Sequence, residues 1–314
     1  MGDGGEPIDQ MTREQALVRA GTAGMALLGT LADLPNALGG LGADVASAAG
    51  GATTGPNMAA VPAALESQAL RGSLHFVVYL PASYARSARR YPVIYFFHGL
   101  PASPTSYLHL GWVAQALAQL RRQAILVVPQ ATRVDDGDPE YHNWGPGDDW
   151  ETALAVELPA WMDVHYRTIA NRNGRAVAGF SAGGYGATMI GLHHPTTFSV
   201  IQSWSGYFRP TDPTGRKTLD LGSAAANAYA NVENLVPSLA SQFKHYPTSF
   251  AFYVGRDDPT FVPDNTLLDS ALTAAGIPHL FRLYPGSHTT TLWKSHAPTW
   301  LGSALDRLEA ATTA

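Results

Sequence analysis

Short apolar segments alternate with longer amphipathic ones from residue 74 onward. Seven runs are rich in β-branched and aromatic residues and close on glycine, proline or a polar turn, which predicts strands over 74–81, 91–99, 124–130, 175–181, 199–206, 248–255 and 279–286. Segments of helical length lie between several of them, namely 150–165, 182–193, 263–275 and 292–311. Strands that alternate with helices imply right-handed crossovers and a buried, mostly parallel sheet. The pattern therefore predicts an open α/β fold.

The first 64 residues have a different pattern. Ala20–Leu31 is apolar and small, follows two arginines, and precedes a Gly/Ala-rich segment. It is too short to span a bilayer but has the length of the apolar region of an export signal, and Ala46–Ala48 has the form of a cleavage site. The acidic start of the chain equally favours a helical extension that packs on the domain. We predict an extension over 1–64, with a secreted or cell-envelope location if it is a signal and a cytoplasmic one if it is not, and one domain over 65–314.

Composition excludes several classes of protein and site. With 314 residues, 46% of them hydrophobic and 14% charged, the chain can bury a large core. The net charge is −5 and no run of Lys or Arg exceeds a pair, so we expect no nucleic-acid partner. Cysteine is absent, which excludes disulfides, thiolate zinc sites and a cysteine nucleophile. The acidic turn Asp135–Asp138 lacks the spaced oxygen ligands of a calcium loop, and we predict neither metal nor cofactor. No segment beyond the extension is predicted to span a membrane.

Chemically active side chains follow several of the predicted strands. In open α/β sheets, ligands bind beyond the carboxyl ends of the strands. Ser181 follows the strand over 175–180, a glycine-containing loop at 98–100 follows another, two aspartates at 257 and 258 follow a third, and His288 follows the last. A nucleophile, a backbone loop, a carboxylate and an imidazole are therefore predicted at one edge of the sheet.

The sequence GFSAG, Gly179–Gly183, runs from a predicted strand into a predicted helix. In this context G-x-S-x-G is typical of a nucleophile elbow, in which the serine has a strained backbone and flanking side chains would collide with the strand and helix. Glycine at 179 and 183 removes that collision. The alternative is a glycine-rich turn that carries a surface serine.

A serine hydroxyl needs a base to accept its proton, and histidine has a suitable pKa. The chain has 11 histidines. His279 opens a strand, His193 and His194 close a helix, and His296 lies within the last helix. His288 follows the final strand in a loop, so we predict that it is the base, against the alternative that it caps or packs.

The carboxylate that orients the histidine is predicted in the sequence GRDDPTF. The order Ser, Asp, His along the chain is the order that G-x-S-x-G enzymes on this kind of sheet use. We favour Asp258, but chain order cannot separate it from Asp257. One of the two orients the imidazole, and the other faces solvent or holds the loop.

A tetrahedral intermediate also needs donors for its oxyanion. One is expected from the backbone amide after the nucleophile, here Ala182, and another from the loop after an earlier strand. The loop that begins at His98 supplies Leu100 as the predicted second donor, with Gly99 allowing the backbone to turn in. Both donors are main-chain N–H groups, so the identity of the side chains at these positions does not indicate an oxyanion site.

Substrate recognition is assigned to an aromatic loop. His142, Asn143 and Trp144 follow the strand over 124–130 on the predicted catalytic edge, and Tyr185 lies in the helix after Ser181. An aromatic side chain beside an amide suits an acyl or sugar group, whereas the alternative is that Trp144 packs under its own loop. Trp293 is interpreted as an anchor of the last helix.

These motifs together resemble a known family. They are HGL at 98–100, the segment 141–168, AVAGFSAGGYGA at 176–187, VGRDD at 254–258 and YPGSHTTTLW at 284–293. From about Leu65 to its end the chain is similar to the esterase family of α/β-hydrolases, which includes esterase D (S-formylglutathione hydrolase), feruloyl esterases and the mycobacterial antigen 85 mycolyltransferases. The resemblance implies the α/β-hydrolase fold and makes residues 65–314 the catalytic domain.

The resemblance implies Ser181 as nucleophile, Asp258 as acid and His288 as base. Ser287 and Thr289 depart from the family's usual G-G-H-D, HGL lacks the following cysteine of the esterase D type, and aspartate replaces the glutamate of antigen 85. We expect a serine hydrolase acting on small-molecule, glycan or lipid carboxylic esters through an acyl-enzyme. Acyl transfer is a variant, and a non-catalytic binding scaffold is the alternative; the oligomeric state stays open.

Overall fold

The main sheet has eight strands and is mostly parallel, as the sequence predicts. A computed structural model describes Met11, Thr12 and residues 58–135, 141–211 and 217–313. The strands are β1 Ala59–Ser67, β2 Gly72–Leu80, β3 Val93–Phe97, β4 Ile125–Pro129, β5 Arg175–Phe180, β6 Val200–Trp204, β7 Ser249–Gly255 and β8 Leu280–Tyr284. Their order across the sheet is β8-β7-β6-β5-β3-β4-β2-β1. β2 runs antiparallel to both of its neighbours, β1 and β4, and the other five neighbouring pairs of this sheet are parallel.

Helices flank this sheet and complete the α/β-hydrolase fold. The α-helices are α1 Gly111–Ala118, α2 Trp150–Thr152, α3 Leu158–His165, α4 Ala182–His193, α5 Ala224–Ala230, α6 Val236–His245, α7 Val262–Ala274 and α8 Thr290–Thr313. A π-helical turn, Ala153–Glu157, joins α2 to α3, so the predicted helix over 150–165 is continuous. Short 3-10 helices lie at Tyr84–Arg86, Ser106–Leu110, Arg172–Gly174 and Val232–Leu235. A separate pair of two-residue strands joins Met11–Thr12 to Leu219–Asp220.

The sheet is buried on both faces, because side chains in a strand alternate between its two sides. In β3, Val93, Tyr95 and Phe97 belong to the apolar cluster on one face, and Ile94 and Phe96 belong to the cluster on the other. All five are 0% exposed. Because both faces of the sheet are covered, a ligand can reach it at the ends of its strands.

The sheet begins earlier than the sequence predicts. β1 starts at Ala59 and pairs along its whole length with β2, so residues 59–64 belong to the sheet rather than to an extension. β1 contains Pro62 and alternates exposed with partly buried positions, as an edge strand can. The predicted export signal and cleavage site lie outside the described residues, as does most of the acidic turn after Asp135.

No helix within the described ranges is long and apolar enough to cross a membrane. Within the same ranges, no group of three or more His, Asp or Glu side chains has the arrangement of a metal site.

Candidate active site

Five of the predicted site residues lie at the carboxyl end of the sheet. Ser181 directly follows β5, and Ala182 is the first residue of α4. Leu100 follows β3 in a loop, Asp258 follows β7, and His288 follows β8. The topology therefore brings residues that are more than 180 positions apart in the chain to one edge.

Ser181 occupies a sharp strand-to-helix turn with φ 55° and ψ −127°, a region that non-glycine residues rarely adopt. The turn has no room for side chains on either side. A Cβ on Gly179 would lie 2.3 Å from the carbonyl oxygen of Gly183, and a Cβ on Gly183 would lie 2.3 Å from that of Phe97. The serine itself is 8% exposed. The two glycines are thus required by close approach of backbone, as the sequence predicts.

The structure joins Ser181, His288 and Asp258 by hydrogen bonds. Nε2 of His288 lies 2.9 Å from Oγ of Ser181. Nδ1 of the same ring lies 3.0 Å from Oδ2 of Asp258. Because a carboxylate only accepts, Nδ1 carries the proton and donates it, which leaves the lone pair of Nε2 free to accept from the serine hydroxyl.

The two neighbouring aspartates have different contacts. Asp258 is 2% exposed, and its Oδ1 accepts from the backbone N–H groups of Thr260 and Phe261, both at 3.1 Å. Asp257 instead accepts from the N–H of Gly286 at 3.1 Å and holds the loop that leads to His288. Only Asp258 contacts the imidazole. Geometry therefore separates two residues that chain order cannot.

The loop after β3 lies directly against the serine. A Cβ on Gly99 would lie 3.0 Å from Cβ of Ser181 and 3.0 Å from the ring of Phe180. The hydroxyl of Tyr141 donates to the carbonyl of His98, which ties this loop to the segment before α2. The amide of Ala182 is one of the first amides of α4, which have no partner within their own helix. Leu100, the predicted second donor, is the residue after Gly99 in this loop, and Ala182 directly follows Ser181.

Burial keeps two histidines near the site neutral. It lowers the pKa of His98 to about 4, and His98 donates from Nδ1 to the carbonyl of Gly99 at 3.1 Å. Burial also lowers the pKa of His142 to about 4, although the carboxylate of Glu151 opposes that shift. Neither ring gains a proton near neutral pH, so neither adds positive charge beside Ser181.

The predicted substrate-binding residues divide into two groups. Trp144 is half-buried and packs against Leu219, while the amide of exposed Asn143 is bound on both its atoms to Thr152. His142 and Tyr185 are 4% and 0% exposed, and the Tyr185 hydroxyl donates to the carbonyl of Ala230 at 2.7 Å. Trp144 therefore packs partly against its neighbours, Asn143 stays exposed, and His142 and Tyr185 are buried, so the prediction that these last two contact a substrate is not supported.

Residues 67–301, more than half of the chain, match the profile of the esterase family. The chain belongs to the esterase family. An esterase of Mycobacterium tuberculosis (strain CDC 1551 / Oshkosh) is 33% identical over 130 residues, which are 41% of this chain and 28% of that protein. The diacylglycerol acyltransferase/mycolyltransferase Ag85A of Mycobacterium leprae is 28% identical over 111 residues, or 35% of this chain and 30% of the relative. The match thus spans less than a third of the length of these curated relatives.

Solved structures of other esterases have the same fold as this family member. A ferulic acid esterase superposes with a TM-score of 0.66 at 24% identity, covering 80% of this chain and 99% of that one. An S-formylglutathione hydrolase from Agrobacterium tumefaciens superposes with a TM-score of 0.66 at 19% identity, covering 82% of this chain and 98% of that one. At these identities the likeness establishes the fold alone.

Sequence reasoning missed the aromatic residues around His288. The ring of Phe261 lies 4.8 Å from the imidazole, and the ring of Trp293 lies 5.1 Å from it on a nearly perpendicular plane. Trp293 anchors the last helix, as interpreted, but it also contacts the predicted base. Its position five residues after His288, early in α8, is the signal that could have identified this contact.

Sequence reasoning also missed a buried cluster around Glu151. Oε1 of Glu151, a residue 2% exposed, accepts from His193 at 3.1 Å, from His194 at 3.0 Å and from the hydroxyl of Tyr229 at 2.8 Å. Burial alone would raise the pKa of this carboxyl, but the hydrogen bonds from the two histidines outweigh it and hold the pKa well below its usual value. Glu151 lies in α2 and so ties that helix to the end of α4 and to α5.

Proposed function

We propose that the protein hydrolyses carboxylic esters through an acyl-enzyme on Ser181. The observation that carries this proposal is the position of His288, whose two nitrogens lie within hydrogen-bonding distance of Ser181 Oγ and Asp258 Oδ2. Membership of the esterase family supports the same reaction class. The substrate is an ester of a small molecule, a glycan or a lipid.

In the first half of the reaction, Oγ of Ser181 attacks the ester carbonyl carbon while Nε2 of His288 accepts the hydroxyl proton. Asp258 holds Nδ1–H and stabilises the imidazolium that forms. The carbonyl oxygen becomes an oxyanion, which accepts from the amides of Ala182 and Leu100. The tetrahedral intermediate collapses when the bond to the alcohol oxygen breaks, and the alcohol leaves with the proton from Nε2.

In the second half, water enters where the alcohol left. Nε2 of His288 accepts a proton from this water as its oxygen attacks the acyl carbon. The second tetrahedral intermediate uses the same two amides, and its collapse releases the carboxylic acid and returns the proton to Ser181 Oγ. Loss of one oxyanion donor costs on the order of 10²- to 10³-fold in rate in enzymes of this type.

Acyl transfer is the second candidate, and the sequence match to a diacylglycerol acyltransferase/mycolyltransferase favours it. In that reaction an alcohol replaces water in the second half, and the same residues move the same protons. The two reactions are separated by their products when a p-nitrophenyl ester is the donor and glycerol or trehalose is added. Hydrolysis releases the carboxylic acid, whereas acyl transfer forms a new ester with the added alcohol. Feruloyl esters and trehalose mycolates as donors then define the acyl group.

A fluorophosphonate probe tests the proposal. The phosphonyl group reacts with an activated serine and displaces fluoride, so the folded wild-type protein is expected to gain one probe, on Ser181. Ser181→Ala is expected to gain none, and Ser203→Ala, a buried serine of β6, is expected to label as the wild type does. Absence of labelling in the folded wild-type protein would support a binding scaffold instead of an enzyme.

A further inference from the structure

The imidazole of His288 contacts two aromatic side chains. Its ring centre is 4.8 Å from that of Phe261, with the planes tilted by 52°, and 5.1 Å from that of Trp293, with the planes at 88°. The hydrogen bonds to Ser181 and Asp258 fix the line that joins the two nitrogens. These hydrogen bonds do not fix the rotation of the ring about that line. Phe261 and Trp293 restrain this rotation.

The two neighbours are held by different means. Phe261 is fixed through its own backbone, because its N–H donates to Oδ1 of Asp258 at 3.1 Å. Its ring also stacks on Tyr207 at 5.1 Å. Trp293 stacks on Phe180, the residue before the nucleophile, at 4.4 Å. The indole Nε1–H of Trp293 donates to Oγ of Ser205, at 3.0 Å.

Ser205 follows the last residue of β6 and is 0% exposed. Its φ of 52° lies in the left-handed region that non-glycine residues rarely occupy. Its N–H donates to the carbonyl of Tyr253 in β7 at 2.6 Å. Ser205 is therefore held by one hydrogen bond through its backbone and by another through its hydroxyl. Strain of this kind persists where the surrounding structure determines a side chain's position, and it concentrates at functional sites.

We propose that Ser205 is a positioning residue for the reaction: it binds the indole of Trp293 and thereby holds the imidazole of His288 in register with Ser181. This inference rests on the proposed function. In the reaction the imidazole must keep Nε2 aimed at Ser181 while it gains and loses a proton. The aromatic neighbours also favour the imidazolium that forms, because a cation is attracted to an aromatic ring in a desolvated site.

The test compares Ser205→Ala with Ser203→Ala. Ser203 lies two residues earlier in β6, is also 0% exposed, and has no hydrogen bond to its Oγ within the described residues. We expect Ser205→Ala to lower kcat on the order of tenfold, since misplacement of a catalytic group by about 1 Å can cost about 10²-fold, while KM changes less than about twofold. Ser203→Ala should keep both constants. Equal kcat in the two variants would overturn the proposal.

The same hydrogen bond can be removed from its other end. Trp293→Phe keeps a ring beside His288 but lacks the indole N–H. We expect its kcat to fall as in Ser205→Ala, and the double variant to fall no further than the lower single variant, because the two changes remove one interaction. Multiplying losses in the double variant would show that the two residues act independently. If Ser205→Ala does not fold, as judged by its thermal melt, Trp293→Phe alone still tests the proposal.

A proton NMR measurement separates this inference from the proposed function. The Nδ1–H of a histidine bound to a buried carboxylate gives a resonance at low field, which is observable whether or not the protein is active. Ser205→Ala is expected to broaden or lose this resonance, and Ser203→Ala to retain it. An unchanged resonance and kcat in Ser205→Ala would overturn the positioning role and leave the esterase proposal intact. A wild type that shows the resonance but neither hydrolysis nor labelling would overturn the proposed function.

Discussion

Among the residues that the structure describes, two buried carboxylates bind histidine, and one of the two lies beside a nucleophile. Asp258 binds His288 at the carboxyl end of the sheet, and the other nitrogen of that ring contacts Ser181. Glu151 binds both His193 and His194 where α2 meets the end of α4. Both carboxylates are nearly inaccessible, with exposures of 2% for each residue.

The difference lies in what the histidines can reach. The His193 side chain is 5% exposed, and the His194 side chain, at 24%, is almost as exposed as that of His288, at 29%. The Nε2 of His194, however, binds Glu151, whereas the Nε2 of His288 contacts Ser181. Nε2 of His193 has no hydrogen-bond partner within the described residues, and Glu151 accepts the protons that the two imidazoles donate. A carboxylate–histidine pair therefore marks a candidate catalytic site only where a strained serine lies in reach of the second nitrogen.

The largest expected effect is on kcat, and it distinguishes Asp258 from Asp257. Asp258→Asn should lower kcat on the order of 10³- to 10⁴-fold, because an amide can donate to Nδ1 and favours the wrong tautomer of His288. Asp257→Asn should lower it less than about tenfold, because Asp257 only holds the loop through Gly286. Steady-state hydrolysis of a p-nitrophenyl ester measures both. The reverse order would assign the acid to Asp257.

The strand-to-helix turn at Ser181 has no counterpart in the Glu151 cluster. Gly183→Ala should disrupt this turn. The new Cβ would lie 2.3 Å from the carbonyl oxygen of Phe97 and 2.5 Å from that of His98. Overpacking against backbone should lower the free energy of unfolding by about 3 kcal/mol and displace Ser181. Gly302→Ala in α8 is the matched control, because its nearest neighbours are 3.9 Å away. Urea denaturation measures both, and an unaffected Gly183→Ala would contradict the tight turn.

Removing the charge at Glu151 should affect stability and spare catalysis. Glu151→Gln weakens three hydrogen bonds to a buried carboxylate, and we expect the free energy of unfolding to fall by about 1–3 kcal/mol. We expect kcat to stay within about threefold of the wild type at a temperature where the variant is folded. Denaturation and steady-state kinetics on one preparation check both. A large loss of kcat in the folded variant would show that the Glu151 cluster contributes to catalysis, as the Asp258–His288 pair does.

A further expected effect is a dependence of stability on pH. Burial lowers the pKa of His98 and of His142 to about 4, so the unfolded chain binds more protons than the folded one below pH 6.5. Stability is full above that pH and falls by about 1.4 kcal/mol per histidine for each pH unit down to about 4. The lowered pKa of Glu151 adds a further loss once the pH falls below the ordinary range of a carboxyl.

Denaturant titrations at pH 7, 6 and 5 measure this slope. His142→Gln should give a shallower dependence than the wild type, because one of the two buried imidazoles is gone. His245→Gln changes an exposed side chain and should leave the slope as it is. A slope that His142→Gln does not alter would show that His142 gains its proton without loss of stability.

Local pattern and chain order carry most of what the sequence predicts. Apolar runs placed the strands of the parallel sheet, and strand ends placed Ser181, Asp258 and His288 at one edge, where the structure joins them. The first strand escaped notice because Pro62 interrupts β1 and four of its nine residues are alanine, which is depleted in strands. An edge strand with one partly buried face has a weaker pattern than a strand buried on both sides.

Contacts between distant segments explain what the sequence could not supply. The amide of Asn143 is taken up by Thr152, and Tyr185 is covered by the segment that ends α5 at Ala230. Neither contact follows from the neighbouring residues. The separation of Asp258 from Asp257 likewise depends on the direction of each side chain, which backbone order does not encode.

The measurement that tests the central claim most directly is intact-mass analysis of the protein after rapid acid quench during turnover of p-nitrophenyl acetate. The account predicts a population heavier by one acetyl group, with that group on the peptide that contains Ser181, and no such population in Ser181→Ala. Turnover by the wild type with an unmodified Ser181 peptide, or with the acetyl group on another residue, would contradict it.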